Sequence, residues 1–316
     1  MRRPALSLLI FLTFIASCYR VPDRINPRVS CQTQDLHFSK LHTPFPPLNL
    51  EERHSDWGRE MVIAHAFAQE LDLYRAVSTY KRAEILVSDV NHNRKLEVQY
   101  DILLCYFLAN RYDEAVIAFE KSDLAHVDKT FPAYHDLLLI LYESYQELDC
   151  SEKQQQIMEL IEKSFPDAAE KLRVSQAIRQ GDLPAVEQFA AGFSQRSYLD
   201  DLLDDYASQK KSVAKAQLFN ALVPGAGYLY IGQKKSALTA FLLNGLFIAA
   251  AYEFFHHGHT AGGIITLSFE AGWYFGGIYG AGEEAKYYNE QIYEKNASEI
   301  LNDTKLFPVL MLQYGF

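Results

Sequence analysis

The sequence predicts an all-α protein in which a solenoid of stacked helical hairpins is followed by an apolar transmembrane helical hairpin. Small and apolar residues recur at helical spacing through the middle of the chain. Two nearly uniform apolar stretches follow, each of about twenty residues, which is the length that crosses a hydrocarbon core. Only the segment "HHGH" separates them, and a connection this short forces the two helices to run antiparallel.

Composition limits the functional classes. The 316 residues are 49% hydrophobic and 22% charged, which excludes wholesale disorder. A net charge of -10 argues against a nucleic-acid partner, because phosphate binding needs a basic surface. Spacing alone places no Ser/His/Asp, Cys/His or paired-carboxylate site in a pocket, so we predict no enzyme, no cofactor and no metal, and a hydrolase is the least favoured class.

The N-terminus has the pattern of an export signal. Arg2 and Arg3 precede an apolar run over residues 5–15 that is short for a membrane span. The following "IASC" resembles the lipobox of bacterial lipoproteins. That resemblance implies a signal peptide over residues 1–17, removal of that peptide, and lipidation of Cys18. The alternative is an uncleaved signal anchor with an incidental thiol.

The three other thiols, Cys31, Cys105 and Cys150, can form one disulfide at most and show no C-x-x-C spacing. We predict that Cys105 is a buried apolar side chain. Residues 18–56 are rich in proline and lack an apolar period, so they predict an extended tether.

Residues 57–193 carry a small/large pattern that repeats. Its clearest positions are Ala64, Phe67, Leu73, Ala76, Tyr80 and Ala83, then Leu103, Tyr106, Tyr112, Ala115, Phe119 and Ser122. The pattern resembles the tetratricopeptide repeat, with two strong units and two degenerate ones. An irregular helical bundle is the alternative. A concave face of such repeats would bind a peptide or helix of a protein partner, and we place the contacts near Tyr74, Asn110, Tyr142 and Tyr145.

Residues 194–218 predict one amphipathic connecting helix, acidic at its start and basic later. Lys210, Lys211 and Lys215 lie close to the apolar region that follows. They either bind lipid phosphates or form a solvated helix face.

The segment "ALVPGAGYLYIGQ" precedes the first apolar stretch. Its glycines have the wrong spacing for a phosphate-binding loop, and Gln233 stands where that loop has lysine. The motif Pro224, Gly225, Gly227, Tyr230 and Gly232 resembles the P-G-x-G…Y-x-G start of the two-helix TM2 domain of bacterial membrane proteins. The resemblance covers residues 219–289, implies a tight re-entrant turn before the hairpin, and implies no chemistry.

Polar residues within the apolar stretches are the intramembrane candidates. Glu270 lies midway in the second stretch, and Asn244 in the first is its predicted partner. The pair either fixes helix packing by a hydrogen bond or forms a polar relay. The histidines of "HHGH" lack a carboxylate or cysteine frame, so we interpret them as a solvated turn.

Residues 290–316 form a predicted tail whose end, "FPVLMLQYGF", alternates like an edge strand or is disordered. The lysines flanking the apolar stretches would face the cytoplasm by the positive-inside tendency, whereas a lipidated N-terminus places the repeats outside it. This leaves the choice between outer and inner membrane open.

Together these features predict a lipoprotein scaffold of the bacterial cell envelope, with periplasmic repeats that bind a protein partner and a hairpin in the lipid bilayer. The glycine-rich hairpin also allows a homo-oligomer. The alternative function is a small transporter or channel component that uses Asn244 and Glu270.

Overall fold

The computed structural model describes residues 20–31, 38, 41–192 and 197–316. In these ranges all regular secondary structure is helical and no strand occurs, which confirms the all-α class. The chain forms two compact units. The first, here the hairpin unit, comprises described residues of 31–177 and 298–316; the second, here the apolar-helix unit, comprises residues 20–30 and described residues of 178–297.

The hairpin unit is built from consecutive helices that pack on one another. They are α1 (Leu50–His54), α2 (Asp56–Gln69), α3 (Leu73–Leu86), α4 (His92–Leu108), α5 (Tyr112–Glu120), α6 (Tyr134–Glu147), α7 (Ser151–Ser164) and α8 (Pro166–Gln180). Each of α2 to α6 packs against the helix that follows it, and α4 also packs against α6. Helices α4 and α6 are buried along most of their length and form the centre of the core.

The small residues of the repeating pattern lie where helices cross. Ala64 of α2 and Ala76 and Ala83 of α3 have no exposed surface, and neither does Ala115 of α5. A side chain larger than alanine would separate these helices, because protein interiors are close-packed. The sequence pattern is therefore a packing pattern in this structure.

The three helical hairpins of this unit end their first helix in the same way. Leu71, Asn110 and Asp149 adopt left-handed backbone conformations with φ of 58°, 56° and 54°, at equal intervals of 39 residues (71, 110, 149). After each, the next backbone N–H donates to a carbonyl five residues earlier, at 2.9 Å in all three turns: Asp72 to Phe67, Arg111 to Tyr106, and Cys150 to Tyr145. This is the Schellman turn, which satisfies carbonyls that a helix end leaves unpaired.

The apolar-helix unit contains α9 (Leu183–Gly192), α10 (Ser197–Gln209), α11 (Val213–Leu222), α12 (Ala226–Ile231), α13 (Lys234–His256) and most of α14 (Thr260–Asp303). Its small core includes Val21, Val213, Ala216, Ile231 and Ala285. Residues 178–192, which the sequence assigned to the repeats, belong to this unit: the buried Tyr293 hydroxyl donates to the Ile178 carbonyl at 2.9 Å.

The prediction of a single connecting helix over residues 194–218 is wrong. The described part contains two helices, because α10 ends at Gln209 and α11 begins at Val213. Ser212 separates them by capping α11: its Oγ accepts a hydrogen bond from the Lys215 N–H at 3.2 Å.

The prediction of an extended tether over residues 18–56 is wrong for much of its described part. Val21 and Ile25 are buried in the apolar-helix unit, and Phe45 is buried in the hairpin unit. The prolines keep these segments out of helices, but apolar side chains between them gain enough from burial to pack. Residues 50–54 form α1.

The prediction of an edge strand or disordered end at the C-terminus is also wrong. Residues 290–303 continue α14, and a short 3₁₀ helix, Pro308–Met311, then packs on α6. Leu312 and Phe316 are buried in the core of the hairpin unit. The alternating apolar residues of this segment are buried against helices and form no strand.

Cys105 agrees with the sequence analysis. It is a free thiol with no exposed surface, and Cys150 is an exposed free thiol. Burial raises the pKa of the Cys105 thiol well above its ordinary value, as expected for an unreactive core residue.

Candidate functional site

The glycine motif that precedes the apolar helix forms a tight turn at Pro224 and Gly225, followed by a short helix that the sequence did not predict. Gly225 and Gly232 flank α12 and both have left-handed backbones, with φ of 92° and 95°. A Cβ atom on Gly225 would lie 2.3 Å from the Ala237 carbonyl oxygen of α13, and one on Gly227 would lie 2.3 Å from the Ala216 carbonyl oxygen of α11. The glycines therefore set how closely α12 approaches its neighbours.

Two polar side chains hold the motif in place. The Tyr230 hydroxyl accepts a hydrogen bond from the Ser212 N–H at 3.1 Å, which joins α12 to the start of α11. Asn220, which is buried, accepts from the Gly225 N–H at 2.8 Å. Pro224 between them is half-buried. Asn220 was not found from the sequence, because the Pro-Gly pair signals a turn but does not identify the side chain that holds it.

Helix α13 is the one helix in the described residues that is long and apolar enough to cross a membrane. It has 23 residues, and 11% of its most apolar window is buried. The buried positions Ala237, Asn244 and Ala251 recur every seven residues and form a single narrow stripe. Its large apolar side chains are exposed instead: Leu238, Phe241, Leu242, Leu246 and Ile248 are each more than half exposed.

Asn244 and Glu270, the polar residues of the apolar segments, are both buried. The structure does not show the predicted hydrogen bond between them. The Asn244 amide nitrogen donates to the Ala240 carbonyl of its own helix at 2.6 Å. Asn244 Oδ1 and Glu270 Oε2 have no hydrogen-bond partner.

The four residues predicted to contact a partner do not form one surface. Tyr74 is 85% exposed, and Asn110 is exposed and accepts a hydrogen bond from the Tyr112 hydroxyl. Tyr142 and Tyr145 are 2% and 4% exposed, because they fill the core beside α7 and α8. Their aromatic rings pack within the hairpin unit and are not available to a partner. Cys18 lies outside the described residues.

The hairpin unit contains a buried polar cluster that the sequence analysis did not find. His65 of α2 and Glu97 and Asp101 of α4 bring ligand-type atoms within 4.8 Å of one another. Asp101 has no exposed surface, Glu97 is 4% exposed, and the His65 side chain is 20% exposed. His65 Nε2 lies 3.4 Å from Asp101 Oδ2, and the Tyr80 ring of α3 packs edge-on against the His65 ring.

Burial and mutual repulsion perturb the acids of this cluster. Burial, reinforced by the charge of Asp101, raises the pKa of Glu97 to about 7, although Arg94 opposes the shift. Burial also raises the pKa of Asp101. Burial opposes the charge of His65, but the Asp101 carboxylate outweighs it, so the pKa of His65 is above its ordinary value. The arrangement can hold a proton or a cation.

Neither protein-family models, nor curated proteins, nor solved structures match this chain.

The sequence gives only a faint signal for the buried cluster. Glu97 and Asp101 are one helical turn apart on α4, a helix that is otherwise mainly apolar on its inner side. His65 is 32 residues earlier (65 to 97), on another helix, and no short motif joins the three. Two carboxylates on one face of a core helix are the signal that could have led to them.

Proposed function

We propose that the protein is a membrane-anchored scaffold of the bacterial cell envelope, lipidated at Cys18, with repeats that bind a protein partner. The observation that carries the proposal is the exposed apolar surface of α13. A helix with so many exposed leucine, isoleucine and phenylalanine side chains is unfavourable in water and favourable in hydrocarbon.

The start of α14 supports a transmembrane hairpin. Helix α13 ends at His256 and α14 begins at Thr260, with Gly258 in a left-handed conformation between them. Just beyond the turn, a Cβ on Gly263 would lie 2.7 Å from the Phe255 ring, so the two helices start in close contact. Such small residues let membrane helices approach each other, as in the two-helix domain that the glycine motif resembles.

The equal turns of the hairpin unit support tetratricopeptide-like repeats. A groove of about 250 Å³ lies over α3, α4 and α5 and is lined by, among others, Lys81, Tyr106 and Ile117. Within the groove lining, the Lys81 ammonium group donates a hydrogen bond to the Tyr106 hydroxyl at 2.8 Å. We place the partner in this groove, with Ile117 as an apolar contact, since Tyr142 and Tyr145 are buried.

Extraction of membranes with alkaline carbonate tests the anchor. A Cys18→Ser chain in which a cleavable signal peptide replaces residues 1–17 has neither the lipid nor the N-terminal apolar run, and we expect it to stay in the membrane pellet. A Leu242→Lys/Leu246→Lys chain in the same background should be released, because each central charge costs about 3 kcal/mol in a membrane helix. Tyr74→Lys/Ile85→Lys, which adds the same charge to exposed positions of the hairpin unit, is the control and should stay. Release of the Cys18→Ser chain as a monodisperse soluble protein would refute the anchor.

Site-specific photocrosslinking in intact cells tests the partner groove. A photoreactive residue at Ile117, which is 47% exposed, should give a discrete adduct. The same residue at Ile85, 82% exposed and outside the groove lining, should not. Equal crosslinking at both positions, or none at Ile117, contradicts a specific partner in this groove.

One observation favours the second candidate function, a transporter or channel component. Asn244 Oδ1 and Glu270 Oε2 are buried without hydrogen-bond partners in the apolar-helix unit. Unsatisfied polar atoms inside an apolar membrane segment are typical of residues that contact a substrate or ion. Glu270→Gln distinguishes the two functions: a scaffold keeps its crosslinked partner, whereas a transporter loses transport while the protein stays inserted.

A further inference from the structure

His65 directs its Nε2 atom towards the buried cluster. Its Nδ1 lies 2.9 Å from the Met61 carbonyl oxygen, which can only accept a hydrogen bond, so Nδ1 carries a proton. In the neutral imidazole, Nε2 is then an acceptor, and it faces Asp101 Oδ2 at 3.4 Å. Two acceptors at this distance repel each other unless a proton or a metal ion lies between them. This orientation, with the far nitrogen bound to a carbonyl, is the usual one for histidines that ligate metals.

Asp101 needs a cation that the surrounding side chains do not fully supply. It has no exposed surface, and neither of its oxygens makes a hydrogen bond of normal geometry. The hydroxyl of Tyr80, another fully buried residue, interacts with Asp101 but not in the geometry of a regular hydrogen bond. Buried carboxylates are ordinarily paired, hydrogen-bonded or bound to a metal.

The charged side chains around the cluster would balance a divalent cation once the ligands are deprotonated. Arg94 is the nearest cation, and it forms a two-pronged ion pair with Glu52, at 2.9 and 3.0 Å. It also donates to Glu97 at 2.7 Å, which orients that carboxylate, and to the Pro46 and Pro47 carbonyls. One guanidinium group therefore pairs with the carboxylates of Glu52 and Glu97, and Asp101 is a third carboxylate nearby. Metal binding requires a neutral His65 and ionised acids, and in that state Arg94 and the three carboxylates have a net charge of two negatives, which a divalent ion balances.

We propose that His65 Nε2, Glu97 and Asp101 bind a divalent transition-metal ion, with Zn²⁺ as the best fit. One imidazole and two carboxylates are ligand types that zinc accepts, at roughly 2.0–2.2 Å. Ligands at that distance in a tetrahedron are about 3.4 Å apart, which the spread of up to 4.8 Å reaches with small side-chain movements. The ion would join α2 to α4. The site is independent of the proposed scaffold function, since it requires no membrane and no partner.

Zinc titration of the untagged, full-length protein in detergent tests the site. After treatment with a chelator and its removal, calorimetry with ZnCl₂ should show one tight site per chain, and Zn²⁺ should raise the melting temperature of the hairpin unit by at least about 3 °C. Absence of both effects in folded wild-type protein would overturn the proposal and leave His65 as an imidazolium paired with Asp101.

Variants assign the ligands. His65→Gln and Asp101→Asn should each weaken zinc binding by about 100-fold or more. The matched control is His135→Gln, which alters the other buried His–Asp pair, whose Asp136 accepts two backbone N–H bonds. It should bind zinc as the wild type does.

Two further measurements distinguish the buried cluster from the histidine loop and from a folding defect. A chain with His256, His257 and His259 all changed to Gln should retain the tight site; loss of binding there would move the ion to the loop and refute the proposal. If Asp101→Asn fails to fold, the partly exposed His65→Gln decides, together with the visible absorption of Co²⁺ in wild-type protein. Unchanged zinc affinity in a folded His65→Gln chain would also refute the site.

Discussion

Asp136 is a buried carboxylate whose two oxygens both have hydrogen-bond partners, in contrast to Asp101. Its side chain has no exposed surface, accepts the backbone N–H groups of Gln313 and Tyr314 at 2.9 Å each, and pairs with His135 at 2.7 Å. These contacts tie the C-terminal segment to α6. A buried carboxylate favours the backbone conformation that provides its hydrogen-bond donors, because other conformations would leave the carboxylate unsatisfied.

Removing the Asp136 carboxylate should therefore loosen the C-terminal segment. We expect Asp136→Ala to destabilise the hairpin unit by about 3 kcal/mol, because two backbone N–H groups lose their acceptor. A melt followed by circular dichroism should show a decrease of roughly 6–12 °C. Asp113→Ala, an exposed position in the first turn of α5, should cost less than about 1 kcal/mol. Equal effects of the two substitutions would contradict the role given to Asp136.

Gly225 and Gly232 allow backbone strain to be separated from steric collision. Both have left-handed backbones, but a Cβ on Gly232 meets nothing within 4 Å, whereas one on Gly225 collides with the Ala237 carbonyl. Gly232→Ala should cost about 1–2 kcal/mol from strain alone. Gly225→Ala should cost clearly more and reduce the yield of inserted protein. The comparison is made by detergent melts and by membrane yield; a Gly232→Ala effect as large as that of Gly225→Ala would contradict the close approach of α12 and α13.

At the level of elements, the helical hairpins are defined by their turns as much as by their helices. Leu71, Asn110 and Asp149 occupy the position that usually holds glycine. Three different side chains at this position hide the regularity of the turns in the sequence. The backbone geometry shows it because the hydrogen bonds of the turn do not depend on the side chain.

Asp149→Gly should stabilise the hairpin unit. Asp149 is exposed, and glycine adopts its left-handed conformation without a Cβ penalty, so we expect a gain of up to about 1 kcal/mol and a melting temperature roughly 2–4 °C higher. The same substitution inside a helix, Asp113→Gly, should have the opposite sign, because glycine is a poor helix former. A decrease with Asp149→Gly would mean that its side chain contributes more than the turn geometry indicates.

At the level of the whole molecule, the chain does not fold as a linear series of domains. The hairpin unit uses residues before residue 178 together with the last residues of the chain, and the apolar-helix unit uses residues 20–30 together with residues from 178 onward. Each unit therefore depends on a segment distant in sequence. The predicted domains follow sequence order, with a tether before residue 57 and a tail after residue 289. They therefore do not show that each unit combines segments that are distant in sequence.

Deletion of residues 312–316 tests that dependence. The deletion removes two buried apolar side chains, Leu312 and Phe316, and both N–H donors to Asp136. Burial of the two side chains alone is worth roughly 3–6 kcal/mol, so the hairpin unit should melt at a much lower temperature. Retention of the Cys18→Ser chain in carbonate-washed membranes should not change, because α13 belongs to the other unit. Unchanged melting of the truncated chain would show that its terminus contributes no stability.

The sequence by itself determined the helical class, the repeating small residues at helix crossings, and the apolar stretch that became α13. These properties are local, because they follow from periodicity and composition within a few helical turns. Asn244 and Glu270 were likewise found as polar residues among apolar neighbours.

The tertiary structure decided which distant residues meet. It buried Tyr142 and Tyr145, ordered the C-terminus on Asp136, and brought His65 beside Glu97 and Asp101. None of these contacts leaves a short motif, because each joins segments far apart in the chain whose pairing depends on how the helices pack. Long-range packing is thus the physical reason that the buried cluster, unlike the apolar helix, could not be predicted from sequence spacing.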